Sequence, residues 1–167
     1  MKKNLKTFLI YVVIPVIIVL ILIQFIRPIR ISGESMMPTF KNGELCFMYK
    51  SNKYIRGDII VFKTKIAREE IELKRGNFLQ QWLDGKNKIL IKRIVGLPGD
   101  KITILKGNIF INDIFYEEYE NKTYEVEVYV ESDSYYVLGD NRNKSIDSRN
   151  KEVGNISKDE ILGKVIK

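Results

Sequence analysis

Residues 89–111 read ILIKRIVGLPGDKITILKGNIFI, and this stretch decides the fold. It holds three apolar or alternating runs, Ile89–Val95, Ile102–Leu105 and Ile109–Ile111, rich in β-branched residues. Pro98-Gly99-Asp100 and Lys106-Gly107-Asn108 separate them. Short β-branched runs between Gly-bearing breaks read as strands joined by turns, and the second break predicts a hairpin. The same rhythm continues outward. Ile29–Ile31, Leu45–Tyr49 and Ile59–Lys63 precede the stretch, and Tyr124–Val130, Tyr135–Leu138 and Gly163–Ile166 follow it. Many short strands with frequent turns predict a mainly β fold of antiparallel, partly closed sheets.

Two segments break the rhythm. Between Lys65 and Trp82 the chain carries paired acids and bases, then Phe78, Leu79, Trp82 and Leu83 at helical spacing. That predicts one or two short helices, or a loop with helical turns, whose apolar side chains pack on the sheet or rest on a membrane. Ser157-Lys158-Asp159-Glu160 is a capping-box pattern and predicts a single helical turn.

Phe8 to Ile26 reads FLIYVVIPVIIVLILIQFI, with Gln24 the only strongly polar residue. A helix of that length spans roughly 28 Å, close to the hydrocarbon thickness of a bilayer. Pro15 is tolerable there, because membrane helices accept proline better than soluble ones. Lys2, Lys3 and Lys6 precede the run, and every acidic residue follows it. The expected layout is a cytoplasmic N-terminus (1–7), a single-pass anchor (8–26) and an extracytoplasmic domain (27–167) at the cell membrane. A cleaved leader would need a small-x-small site, and Ala67, the only alanine, lies far from the run.

From Arg27 on, 25 Lys and Arg stand against 21 Asp and Glu, about +4, which suits a domain beside anionic phospholipid headgroups as well as simple solubility. No Arg-rich, aromatic-interleaved pattern points to nucleic acid. Cys46 is the single cysteine and histidine is absent, which excludes an intramolecular disulfide and a His- or thiolate-bound zinc. No calcium-loop spacing occurs, so neither metal nor other cofactor is expected.

The missing histidine also excludes a Ser-His-Asp triad. Ser35 lies in S-G-E-S-M-M-P-T (Ser32 to Thr39), between a glycine that permits positive φ and a proline that fixes it. Such a turn can display a nucleophile, or can be an ordinary turn. Lys92 neighbours Arg93 in a strand-like run, so one of the two faces the interior or a cleft. A lysine in apolar surroundings loses its proton more easily and can serve as base for a serine; a solvated strand lysine is the plain alternative. Gly139 to Arg149, GDNRNKSIDSR, holds two Asp-Arg couples able to brace a rigid polar loop.

In order, S-G-E-S-M-M-P-T, R-G-D-I-I-V-F (Arg56 to Phe62), I-K-R-I-V-G-L-P-G-D and Y-V-L-G-D-N-R-x-x-S-x-D-S-R resemble the motif blocks of bacterial type I signal peptidases. The single N-terminal anchor and short length look like the Gram-positive forms. The resemblance implies a signal-peptidase-like β-fold domain and no cofactor. It makes Ser35 the nucleophile, Lys92 the general base and Ser145 the residue that hydrogen-bonds and orients the lysine. Asp140, Arg142, Asp147 and Arg149 would brace the site, while Met36 and Pro38 would shape the cleft. Many Gram-negative relatives carry an oxyanion-hole serine where this chain has Gly33, so the resemblance implies a main-chain hole built from the Ser35 and Gly33 amides. The implied substrates are exported preproteins, bound as an added strand, with small residues at the first and third positions before the cut. A signal-peptidase-like assembly factor for pilus or surface proteins is the alternative. A cytosolic autoprotease of the repressor type is disfavoured by the apolar run.

Overall fold

The computed structural model describes residues 6–67, 87–120 and 123–166; side-chain burial at 20–24, 67 and 87 is outside that description. Strands dominate. A seven-stranded sheet has the order β1-β2-β11-β3-β4-β9-β10, and a four-stranded sheet the order β7-β6-β5-β8. The strands are β1 (Ile26–Arg30), β2 (Leu45–Tyr49), β3 (Ile59–Ala67), β4 (Asn87–Gly96), β5 (Lys101–Leu105), β6 (Asn108–Ile111), β7 (Ile114–Glu118), β8 (Val126–Tyr129), β9 (Ser134–Leu138), β10 (Ile156–Ser157) and β11 (Ile161–Ile166). Every strand pairing is antiparallel. The mainly β expectation therefore holds.

Strand alternation sorts the core. In β3, Ile60 and Phe62 join one apolar cluster while Val61, between them, joins another. In β9, Tyr135 and Val137 enter the first cluster; Tyr136 and Leu138 enter a third, against Ile102, Ile104, Ile109 and Ile111 of the small sheet. All five β9 residues are buried, which makes this strand the joint between the two sheets. Gly96 fits there because a Cβ would lie 2.8 Å from the Tyr136 Cβ.

The capping box forms as expected, with Ser157 and Glu160 bonding each other's backbone around a single 3-10 turn. Lys65 to Ala67 differ from the expected helix and extend β3. Phe78, Leu79, Trp82 and Leu83 lie outside the described residues. β7 was not expected, and neither was the two-residue β10.

The apolar run begins as a π-helical segment, Leu9–Val13, and continues as an α-helix, Ile14–Phe25. Pro15 has no N–H to donate, and the wider turn before it absorbs that irregularity. No helix among the described residues is long and apolar enough to cross a membrane. Ile26, expected as the last anchor residue, instead starts β1 and pairs with Tyr49.

Candidate active site

Ser35 sits in a loop closed at its base. Ile31 N–H donates to Glu44 O at 2.9 Å, and Gly43 N–H donates to Ile31 O at 2.8 Å. Met36 and Phe40, both 1% exposed, pin the loop into the core one helical turn apart, and the Phe40 N–H bonds Met36 O. Gly33 adopts φ +89°, a conformation L side chains rarely take, which lets the chain turn just before the serine. The Met37–Pro38 peptide is cis.

Lys92 reaches this loop from the middle of β4, where it pairs with Ile60 of β3. Its Nζ lies 2.7 Å from Ser35 Oγ and donates to the Ile91 carbonyl at 2.9 Å. The residue is 2% exposed. Burial pushes the amine down to about 8, against the opposing pull of the Asp147 and Asp140 charges. An amine that is about half neutral near pH 8 and within hydrogen-bond reach of a hydroxyl can act as its base.

The acids and arginines of the Gly139–Arg149 stretch form a frame around this pair. Asp147 holds Arg149 through two contacts, 2.8 and 2.9 Å, and accepts the Gly139 N–H at 3.0 Å. Arg149 also donates to Arg142 O at 2.7 Å and lies over the rings of Tyr119 and Tyr124. Arg142 bonds the Gly139 carbonyl and reaches Glu117 at 2.7 Å. Burial opposes ionisation of Asp140, but bonds from Arg93 and Thr39 and the charges of Arg93 and Arg142 outweigh it. The carboxyl is held below its ordinary range.

Arg93 is a residue the sequence reading left without a role. It grips both Asp140 oxygens at 2.8 and 2.7 Å, the Gly57 carbonyl at 2.8 Å and Thr39 Oγ1 at 3.4 Å. One guanidinium thus ties together all four motif blocks. Its fixed fork suits that work, as a lysine would not. The available signal was its position beside Lys92 in a strand.

Three expected contacts differ. Ser145 Oγ is buried with no hydrogen-bond partner and makes no bond to Lys92. It packs instead against Gly139, where an added Cβ would come within 2.1 Å of it and 2.6 Å of Ser35 O. The Gly33 N–H donates to Asn42 Oδ1 at 3.0 Å and is thereby engaged away from the expected oxyanion hole. Among the described residues the Ser35 N–H has no acceptor. Met36 is packed in the core, whereas Met37, 39% exposed, lines a groove of about 430 Å³ with Pro38, Glu117, Tyr119, Asp140 and Arg142. Among the described residues no cluster of three or more acids or thiols could hold a metal.

Residues 3–167 match the family described as Signal peptidase, peptidase S26. Signal peptidase I U of Bacillus subtilis strain 168 is 34% identical over 181 aligned residues, covering 97% of this chain and 86% of the relative. Signal peptidase IB of Staphylococcus aureus strain Mu50 is 31% identical, covering 99% of this chain and 89% of the relative. A crystal structure of a signal peptidase I from Enterococcus faecalis V583 aligns with a TM-score of 0.47 at 23% identity, over 69% of this chain and 98% of that one. The chain belongs to the signal peptidase S26 family, among the bacterial type I enzymes.

Proposed function

We propose that the chain is a membrane-anchored endopeptidase that removes N-terminal signal peptides from exported preproteins with a Ser35–Lys92 dyad. The observation that carries this reading is the 2.7 Å separation of Lys92 Nζ and Ser35 Oγ, with the amine brought down to about 8 by burial. Neutral Lys92 takes the Ser35 hydroxyl proton as Oγ bonds the scissile carbonyl carbon. The ammonium then gives that proton to the departing amine as the C–N bond breaks. A water attacks the resulting ester, losing a proton to Lys92; the acyl C–Oγ bond breaks, Lys92 returns that proton to Ser35 Oγ, and the acid leaves. The Ser35 N–H is the main-chain donor for the oxyanion in both halves.

Substrate binds as an extended strand with small residues at the first and third positions before the cut. The apolar run from Phe8 to Phe25 tethers the enzyme beside its substrates and raises their effective concentration. Its side chains from Phe8 to Val19 support this, since nearly all are exposed rather than packed on the sheets. The N-terminus is cytoplasmic, the catalytic domain lies outside and membrane phospholipid is its neighbour.

The test is processing of a preprotein in detergent by the full chain and by Ser35→Ala and Lys92→Ala. Loss of cleavage in both is expected; normal cleavage by either removes the dyad.

A further inference from the structure

Glu34 immediately precedes the nucleophile, and Lys144 immediately precedes Ser145. The two lie 110 residues apart in sequence, yet Lys144 Nζ donates to Glu34 Oε2 at 2.8 Å. Their side chains are 53% and 66% exposed. Beneath them the same two turns are joined again. The Asn141 N–H donates to Ser35 O at 3.0 Å, and Gly139 packs against both Ser35 O and Ser145. The nucleophile turn and the Gly139–Ser145 turn are thus held by a main-chain bond below and by an ion pair at the solvent rim.

We propose that Glu34 and Lys144 form an electrostatic latch that positions the Ser35 turn against the Gly139–Ser145 turn and makes cleavage depend on ionic strength. Both are positioning residues, acting through their neighbours. The inference rests on the peptidase reading. An exposed ion pair is weak and is screened by salt, whereas Arg93–Asp140 and Arg149–Asp147 are shielded from it. Ionic strength therefore acts on the rim and leaves the frame below intact. A weak latch also suits a rim beside a site that must admit and release a polypeptide.

The experiment compares the full-length wild type, Glu34→Lys, Lys144→Glu and the double exchange in detergent. Cleavage of one labelled preprotein is followed from low salt to about 1 M, where screening is nearly complete. Each single variant places like charges face to face and is expected to lower kcat about fivefold at low salt. The double exchange recovers to within about twofold, and the wild type loses about threefold in kcat as salt rises, with KM little changed. Both single variants reverse that salt response, their kcat rising as salt screens the like-charge repulsion, which a merely structural role would not produce. Melting temperatures confirm that all four chains fold. A double exchange no better than the single variants, or single variants equal to wild type, overturns the latch. A wild type that cleaves no faster than Ser35→Ala overturns the peptidase reading, and the latch with it.

Discussion

Two buried cations, one in β4 and one in the Gly139–Arg149 stretch, are treated in opposite ways. Lys92 and Arg149 are 2% and 5% exposed. Arg149 has a carboxylate gripping it at two points, a carbonyl and two aromatic faces; Asp147 overrules the penalty of burial and raises its proton affinity. Lys92 has a serine hydroxyl and its own strand's carbonyl. Among the described residues no carboxylate bonds it, and burial lowers its proton affinity. The acids of the site are taken by arginines, which keep their proton under all working conditions. Asp140 is claimed by Arg93 in the same way. The arginines hold shape, and Lys92, bonded to a hydroxyl and a carbonyl but to no carboxylate among the described residues, can exchange a proton.

The contrast is broken most completely by removing the unpaired cation. Lys92→Met is expected to lower preprotein cleavage by roughly 10³-fold or more. The same substitution is expected to stabilise the fold. At pH 7 the lysine binds a proton in both the folded and unfolded states, and the folded state bears the cost of a buried charge. A fall from 10.5 to about 8 corresponds to about 3 kcal/mol. Between those two values the folded chain gives up the proton while the unfolded chain keeps it, so wild-type stability rises with pH and the advantage of Lys92→Met fades. Urea unfolding at pH 7 and near pH 10 measures both effects.

Breaking the paired cation has the opposite sign. Arg149→Met leaves Asp147 buried without its counter-charge and is expected to destabilise by about 3–5 kcal/mol, read as a fall in melting temperature. Asp147→Asn sharpens the comparison in another way. It removes a charge that favours protonated Lys92, so in whatever fraction folds, the acid limb of the activity profile moves to lower pH.

Gly139→Ala disturbs the contact between the two turns without touching either cation. Its Cβ would collide with Ser145 Oγ and Ser35 O. The expected cost is about 1–3 kcal/mol; on the proposed mechanism kcat falls more than KM changes, because Ser35, and not the groove beside Met37 and Pro38, is displaced. Steady-state kinetics beside thermal melting separates the two.

The fold was legible where the pattern was local. Leu45–Tyr49 occupies β2 with the expected bounds, and Lys106-Gly107 makes the expected tight turn between β5 and β6, both residues at positive φ. β7 escaped because its turn is Asn112-Asp113, with positive φ but no glycine, and because its five residues are exposed or half-buried and so show no alternation. At the site, the absence of histidine and the run around Lys92 pointed to the lysine whose Nζ the fold brings to 2.7 Å from Ser35 Oγ. Which hydroxyl, amide or thioether turns which way was not legible. Ser145 turning toward Gly139, the Gly33 N–H binding Asn42 and Met36 entering the core are choices of rotamer and loop closure made after distant segments meet. Arg93 was hidden for the same reason, since its partners come from three other motif blocks.

The most direct measurement is the titration of the Lys92 amine itself. Carbon-13 and nitrogen-15 labelling of the lysine side chains in the full-length wild type, with Lys92→Met to assign the signal, gives the midpoint by NMR. A midpoint of about 8, matched by an acid limb at the same pH in cleavage activity, is the result the account predicts. A midpoint at the ordinary 10.5 would mean that Lys92 remains an ammonium at working pH, and would contradict its assignment as the base.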